Sequence, residues 1–449
     1  MHSWLASQES VVSSQAAAGP PKGESMSVAA QSLMDNVTYE DLYKRWEQGN
    51  WSAYDIDFSP DKEGWQGLSD IQRRSAMWIY SMFFYGEDRV ADTLSPYITA
   101  APTEEQSYFL ATQQVDEVRH SVFFHRFFKE VIGVGGDSIQ QTLASTLPQL
   151  NWGYRAIFDR LDLMAEELRK DRSLPKYAQA ITLYHLIVEG SLAQPGQHFI
   201  EDFFAAEETM PGFSSGIANV SRDEQRHIGF GVKVLSELLA SSEECKAAVV
   251  ELLRETVPYG PAVFYPPNMD REYTECYGFS LEDIFAFGLK LIRQRWRTIG
   301  YPTEEMPPGV FPFDPEASEE EIAERQVKLM MAGILGPPDG PRPESTPELQ
   351  RLYFDIVQRV ANPNAANGSR LVYQYRFTDA DPWHLVLDNG STRAEPGEVP
   401  DPDLVLEASW ADFVAVGKPE ANPLKMILQR RLRPRGSIRE IARMRKVFG

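Results

Sequence analysis

Apolar residues recur at helical spacing along most of the chain's first two thirds, and the segments they mark differ in how much of the helix surface is apolar. From Asp70 to about Tyr97 the run IQRRSAMWIYSMFFYGEDRVADTLSPY is apolar on most faces, which predicts a central helix buried on all sides. After Pro102, Thr103-Glu-Glu-Gln106 has the form of a capping box and opens a second helix reaching about Val131. A third long segment runs from about Leu161, and a fourth begins near Pro175 and is expected to be distorted at Pro195 and Gly196. A fifth contains SRDEQRH, residues 221–227. Helical stretches over ECKAAVVELLRETV, SLEDIFAFGLKLIRQRWRTIG and EEEIAERQVKLMMAGIL would pack around this centre, so the first part of the chain reads as all-α.

The pattern changes at GPPDGPRPEST, residues 336–346, where Pro and Gly forbid a continuing helix and supply a stiff linker. Beyond it the helix PELQRLYFDIVQRV is followed by period-two strands, SRLVYQYRF and WHLVLDNGSTRAE, the second holding an Asn389-Gly390 hairpin turn. LVLEASW adds a strand, and two helical stretches, WADFVAVG and the basic NPLKMILQRRLRPRGSIREIARMRKVF, close the chain. This predicts an α+β domain with helices against a small antiparallel sheet. Leu424, Ile427, Leu428 and Leu432 are spaced as the packed face of a helix whose basic side is solvated. Residues 1–35, rich in Ser, Ala, Gly and Gln, read as a flexible arm. The expected organisation is arm 1–35, helical domain 36–335, linker 336–347 and second domain 348–449.

Length and charge narrow the partners. A chain of 449 residues exceeds one ordinary core. Its formal net charge of -21, with no basic cluster before about residue 420, opposes nonspecific attraction to nucleic acid or to an anionic membrane. Cys245 and Cys276 are too few for a disulfide framework, which fits a reducing cytoplasm. The N-terminus does not read as a signal peptide, and no run of eighteen apolar residues spans a bilayer.

The chemistry is concentrated in a repeat. VDEVRH at 115–120 and SRDEQRH at 221–227 each contain Glu-x-x-His, so Glu117 with His120, and Glu224 with His227, share a helix face. Glu87 and Glu189 sit alone in strongly apolar helical stretches, where a charge needs a partner or a metal. The order Glu, Glu-x-x-His, Glu, Glu-x-x-His is the ligand pattern of dinuclear carboxylate sites in ferritin-like four-helix bundles. A single such pair would ordinarily be an exposed helical pair; two pairs with two lone glutamates, in this order on apolar helices, point to metal. Six oxygen and nitrogen ligands without thiolate suit iron or manganese rather than a zinc thiolate site.

Over roughly residues 38–300 these motifs resemble the ribonucleotide reductase small subunits and, more closely, their relatives the R2-like ligand-binding oxidases. The resemblance implies Glu87, Glu117, His120, Glu189, Glu224 and His227 as ligands of two metal ions, Fe/Fe or Mn/Fe. It also implies Asp223 as acceptor from His120, and Trp51 as the tryptophan of an electron path. Phe124 stands where a reductase subunit has its radical tyrosine, and the first ligand is Glu87 rather than Asp. Val90 and Tyr184 match the pair that the oxidases join by an ether link. Five residues of ideal α-helix turn about 140°, so for Tyr184 to share a site with Glu189 the helix must be distorted between them.

Residues 348–449 resemble the sterol carrier protein type 2 fold in LVYQYRF, PGEVPDPDLVLE and the Arg-x-x-Gly before the last helix, which implies an apolar tunnel for acyl or sterol-like ligands. Together the two resemblances predict an oxygen-activating dinuclear oxidase, acting on a long-chain or other apolar substrate and expected as a homodimer with an unspecified electron donor. The competing readings are a tyrosine-free reductase small subunit and a non-catalytic, metal-stabilised lipid-binding protein.

Overall fold

A computed structural model describes residues 37–207, 209–388 and 390–448; the arm expected over residues 1–35 and the Asn389 half of the expected hairpin turn lie outside them. Helix α1 spans Tyr39–Gln48. The long α2, Asp70–Ala100, starts at a complete capping box. Ser69 Oγ accepts from the Gln72 amide N–H, and the Gln72 side chain accepts from the Ser69 N–H. Its buried residues, among them Trp78, Tyr80, Phe84, Leu94 and Tyr97, face several directions, as its all-round apolar sequence requires.

Helix α3, Glu104–Phe127, is capped by Thr103, whose hydroxyl accepts from Gln106 N–H at 3.3 Å. The reciprocal half of the expected capping box is not made, because the Gln106 amide is engaged by the hydroxyls of Tyr39 and Tyr177. One π-helical turn, Phe128–Ile132, ends the helix at Gly133, whose φ of 75° is a conformation glycine adopts without strain. Helix α4 covers Trp152–Lys170 and so begins well before the Leu161 expected; the start signal was Asn151, whose side chain accepts from Tyr154 N–H at 2.9 Å.

The fourth long segment runs continuously from α5, Leu174–Ile181, through a π-helical stretch Thr182–Ala193 into α6, Gln194–Glu207. The expected distortion therefore lies before Pro195, not at it. Within this stretch hydrogen bonds reach back five residues, as from Gln194 N–H to Glu189 O. In that register Pro195 would have bonded Gly190 O; proline has no N–H, and the Arg295 guanidinium donates to Gly190 O in its place. Helix α7, Pro211–Ser241, is capped by Asp61, which accepts from Gly212 N–H at 2.9 Å and Phe213 N–H at 2.6 Å. Helices α8 (Glu243–Thr256), α9 (Leu281–Thr298) and α10 (Glu319–Met331) surround the centre. This is a mostly helical ferritin-like architecture.

After α11, Pro347–Val360, come strands β1 (Leu371–Phe377), β2 (Trp383–Asp388), β3 (Ser391–Pro396) and β4 (Leu404–Ala408). The chain ends with α12 (Trp410–Val416), α13 (Pro423–Leu428), β5 (Leu432–Gly436) and α14 (Ile438–Phe448). Sheet order is β3-β2-β1-β4-β5. The sheet is mixed rather than antiparallel, because the connection after β3 carries β4 to the far side of β1, where the two pair in parallel. Phe354 of α11 stacks on Trp383, ring centroids 4.5 Å apart, at the centre of this core.

The basic C-terminal stretch is not one helix. Arg430 takes a φ of 59°, the chain turns, and Leu432–Gly436 adds a strand to the sheet edge. Leu432 is buried there, but Leu424 and Leu428 are 75% and 85% exposed, so the packed helical face expected from their spacing does not form. The Pro/Gly segment lies against the same domain: Trp410 Nε1 donates to Glu344 O, and Lys418 Nζ to Pro337 O. Among the described residues no helix is long and apolar enough to cross a membrane.

Candidate metal centre

Helices α2, α3 and α7 and the π-helical stretch bring all six sequence-predicted donors into one buried cluster. Glu87, Glu117, His120 and Glu224 form one group whose ligand atoms lie within 4.8 Å of one another; Glu117, Glu189, Glu224 and His227 form a second. Glu117 and Glu224 belong to both, as carboxylates between two ions would. His120 Nδ1 is 3.1 Å from Glu87 Oε2 and 3.5 Å from Glu117 Oε2. His227 Nδ1 is 3.2 Å from Glu117 Oε1 and 3.3 Å from Glu189 Oε1.

The donor set fits metal on two grounds. Glu117 Oε2, Glu189 Oε2, Glu224 Oε2 and His227 Nδ1 are buried without a hydrogen-bond partner, and orphaned polar atoms at such a density are costly unless something binds them. Burial also pushes the Glu87 and Glu189 carboxyls well above the usual range, while the neighbouring imidazoles hold Glu117 well below it. Carboxylates crowded this closely and buried from solvent need positive charge among them. The cluster is able to hold a dinuclear metal site.

The imidazoles are oriented from behind. His120 Nε2 lies 3.3 Å from Asp223 Oδ2, which also accepts from Trp51 Nε1 at 2.7 Å. His227 Nε2 lies 3.1 Å from Asp116 Oδ2, and Trp46 Nε1 donates to Asp116 Oδ1 at 2.9 Å. Arg226 donates to both aspartates, and Arg119 to Asp116 at 2.7 Å. Against the upward push of burial, the hydrogen bond and charge of His227 hold the Asp116 carboxyl below its ordinary range, and those of His120, then Trp51 and Arg226, hold Asp223 well below it, so each accepts from its histidine's Nε2–H and leaves Nδ1 facing the glutamates.

Asp116, Arg119, Arg226 and Trp46 were missed by the sequence reading. The signal was present, since the repeat is Asp-Glu-x-Arg-His in both helices and not merely Glu-x-x-His. Gln113 and His185 were missed as well and leave no comparable pattern. Gln113 Nε2 donates to Glu189 Oε1 at 2.7 Å, and its carbonyl oxygen faces His185 Nε2 at 3.0 Å.

Tyr184 donates to Glu117 Oε1 at 2.9 Å from within the π-helical stretch that also bears Glu189. The distortion needed to bring residues five apart to one site is thus present. Val90 lies on α2 beside an apolar cavity lined by Trp78, Met82, Phe83, Val188, Leu192 and Phe199; Glu87, Glu117, Glu189 and Glu224 border the same cavity. Phe124 is fully buried and stacked on Phe83, centroids 6.0 Å apart.

Paired carboxylate–imidazole donors on the helices of an apolar bundle define the class of helical dinuclear-metal proteins. The family model of the ribonucleotide reductase small chain matches residues 33–260, just over half of the chain, and the chain belongs to that family. The model of the SCP-2 sterol transfer family matches residues 355–449. Among solved structures, the chain is similar to variants of an R2-like ligand-binding oxidase with anaerobically or aerobically reconstituted Mn/Fe cofactor. Each has 24% identity and a TM-score of 0.51, covering 59% of this chain and 93% of the other. An R2-like ligand-binding oxidase from Sulfolobus acidocaldarius aligns at 25% identity and a TM-score of 0.48, over 64% of this chain and 94% of its own.

Proposed function

We propose that the chain is an O2-dependent dinuclear metal oxidase, Fe/Fe or Mn/Fe, that acts on a long-chain fatty acyl or similarly apolar molecule. We propose further that residues 348–449 form a lipid-binding domain serving it. The observation that carries this reading is the apolar cavity bordered at one part of its wall by four of the cluster's glutamates. A chain of methylenes lying against Phe83, Val188 and Leu192 gains roughly 0.8 kcal/mol per buried CH2, whereas a polar guest would lose hydration against the same apolar wall.

Bound metals would supply dioxygen reduction and the oxidising power to remove hydrogen from a C–H bond. The chain's own residues do the rest. Glu87, Glu117, His120, Glu189, Glu224 and His227 hold the ions, and Asp116 and Asp223 fix the two imidazoles. The aromatic wall excludes water and orients the guest. Trp51, hydrogen-bonded to Asp223, connects His120 to the protein periphery and in this reading carries electrons to the metals. Val90 and Tyr184 are the residues that oxygen activation would join.

Oxygen uptake by reduced, metal-loaded protein tests the reading. Uptake should rise several-fold with a saturating long-chain fatty acid and yield an oxidised product. Metal-loaded protein that consumes no oxygen would leave the metal-stabilised lipid-binding reading. The Trp51–Asp223–His120 chain also favours a tyrosine-free reductase subunit, and formation of a complex with a large reductase chain would select that alternative.

A further inference from the structure

The metal centre makes no use of the C-terminal edge of the sheet, where aliphatic side chains and positive charge are presented together. Leu424 and Leu428 stand one turn apart on α13, and Ile438 at the start of α14 is 87% exposed. Strand β5 lies between the two helices in sequence and forms the sheet's outer strand. Its exposed Arg433 and Arg435 flank Pro434, a residue only an edge strand tolerates.

Between Pro423 and Phe448 the chain carries nine basic residues and one acidic residue, although its formal net charge is -21. Arg431 pairs with Asp412 and Arg435 with Glu407. Among the described residues Lys425, Arg430, Arg433 and Arg439 make no ion pair and are exposed. Positive charge thus remains available around aliphatic groups that stay exposed among the described residues.

Few partners satisfy both features. Nucleic acid would take the charge but has no use for three splayed aliphatic side chains. A second copy meeting this face symmetrically would oppose nine basic residues to nine. A bilayer containing anionic lipid accepts both, with apolar side chains entering the headgroup boundary and arginines facing lipid phosphates and carboxylates. The negative charge elsewhere on the chain would repel the same surface, so among the described residues it is this edge that can approach it.

We propose that the α13–β5–α14 edge docks on anionic membrane surfaces, with Leu424, Leu428 and Ile438 inserting and Arg430, Arg433 and Arg439 holding the lipid headgroups. The inference stands on this surface alone and does not depend on which ligand either domain takes.

Cosedimentation of the full chain with phosphatidylcholine vesicles, with and without phosphatidylserine, tests it. Binding should require phosphatidylserine and weaken at least tenfold when salt is raised from about 0.05 M to about 0.5 M. It should also weaken at least tenfold in L424S/L428S/I438S and in R430Q/R433Q/R439Q. All six positions are exposed, so both variants should keep the parent's thermal midpoint, which verifies that they fold. Absence of phosphatidylserine-dependent binding overturns the proposal, as does binding that neither variant weakens. If the serine variant instead lowers the molar mass in solution, the edge is a contact between copies. If the chain binds single-stranded RNA as tightly as vesicles, and the serine variant leaves that unchanged, the basic face serves nucleic acid; either result overturns the membrane assignment.

Discussion

The Tyr184 hydroxyl donates to Glu117 Oε1 at 2.9 Å, so a phenol is held directly against a carboxylate shared by both donor groups. Both partners are buried, and burial raises the Tyr184 phenol well above its ordinary pKa, which keeps it protonated and donating. If Tyr184 and Val90 are the pair joined on oxygen activation, the O–H and a Val90 C–H each lose one hydrogen, and dioxygen takes up both. Peptide mass spectrometry of metal-loaded, air-exposed protein should then find one linked species lighter by two hydrogens. Protein loaded without oxygen should not contain it. Separate, unmodified peptides from fully loaded, air-exposed protein would exclude the link.

Sharing of Glu117 and Glu224 makes metal loss unequal among variants. Elemental analysis after reconstitution should give two first-row ions per chain for the parent. Glu87→Ala, which touches one donor group, should lose chiefly one ion, whereas Glu117→Ala combined with His120→Ala should lose both. Full occupancy in the double variant would exclude this site.

Asp116 accepts from Trp46, Arg119 and Arg226 while orienting His227, and its side chain is fully buried. Asp116→Ala leaves the buried Arg226 with only Asp223 and should cost about 3–5 kcal/mol in urea unfolding of the metal-free protein. Asp116→Asn keeps the size and one acceptor oxygen and should cost less. Equal, small effects of both changes would mean the arginine network does not support the fold.

His185 gives a pH dependence whose sign is fixed by its environment. Burial first, and then the charge of His227, lower its pKa from 6.5 to about 3, so the native state keeps it neutral. Below about pH 6.5 the unfolded chain takes up a proton that the native chain refuses. The contribution is therefore complete above pH 6.5 and is lost progressively down to about 3. His185→Gln should flatten this part of the acid slope relative to the parent, as measured by urea midpoints between about pH 7 and about pH 4.5. An unchanged difference between the two proteins across that window would rule the histidine out.

The donor helices were legible because a buried charge on an apolar helix has few explanations, and because Glu-x-x-His leaves a fixed spacing in sequence. Asp116 and Arg226 were equally visible in the repeated Asp-Glu-x-Arg-His, but their meaning depends on a cross-helix bond of 2.6 Å that no spacing reveals. Gln113 and His185 meet only through folding and have no sequence signature. In the second domain the strands read correctly as strands, while the parallel β1–β4 pairing depended on where a long connection crosses. The C-terminal stretch misled because Leu432 falls at helical spacing from Leu424, Ile427 and Leu428, yet it sits in the sheet's last strand.

A π-helical stretch is, in effect, a helix whose residue count per turn has been changed, and that turns position along α5 and α6 into a matter of counting. Tyr184 and Glu189 reach one site because five residues separate them in a register that reaches back five. If the stretch relaxed to an ordinary α-helix with its count unchanged, Glu189 would lie about 140° round the helix from Tyr184, whereas removing one residue between them would leave the two four apart, on one face of an ordinary α-helix. Composition and hydrophobicity would hardly change, and the rod would still be helical. The glutamate and the phenol would still face one way, so in this stretch the extra residue and the wider turn offset each other, and chain length is a parameter that no substitution at a single position can imitate.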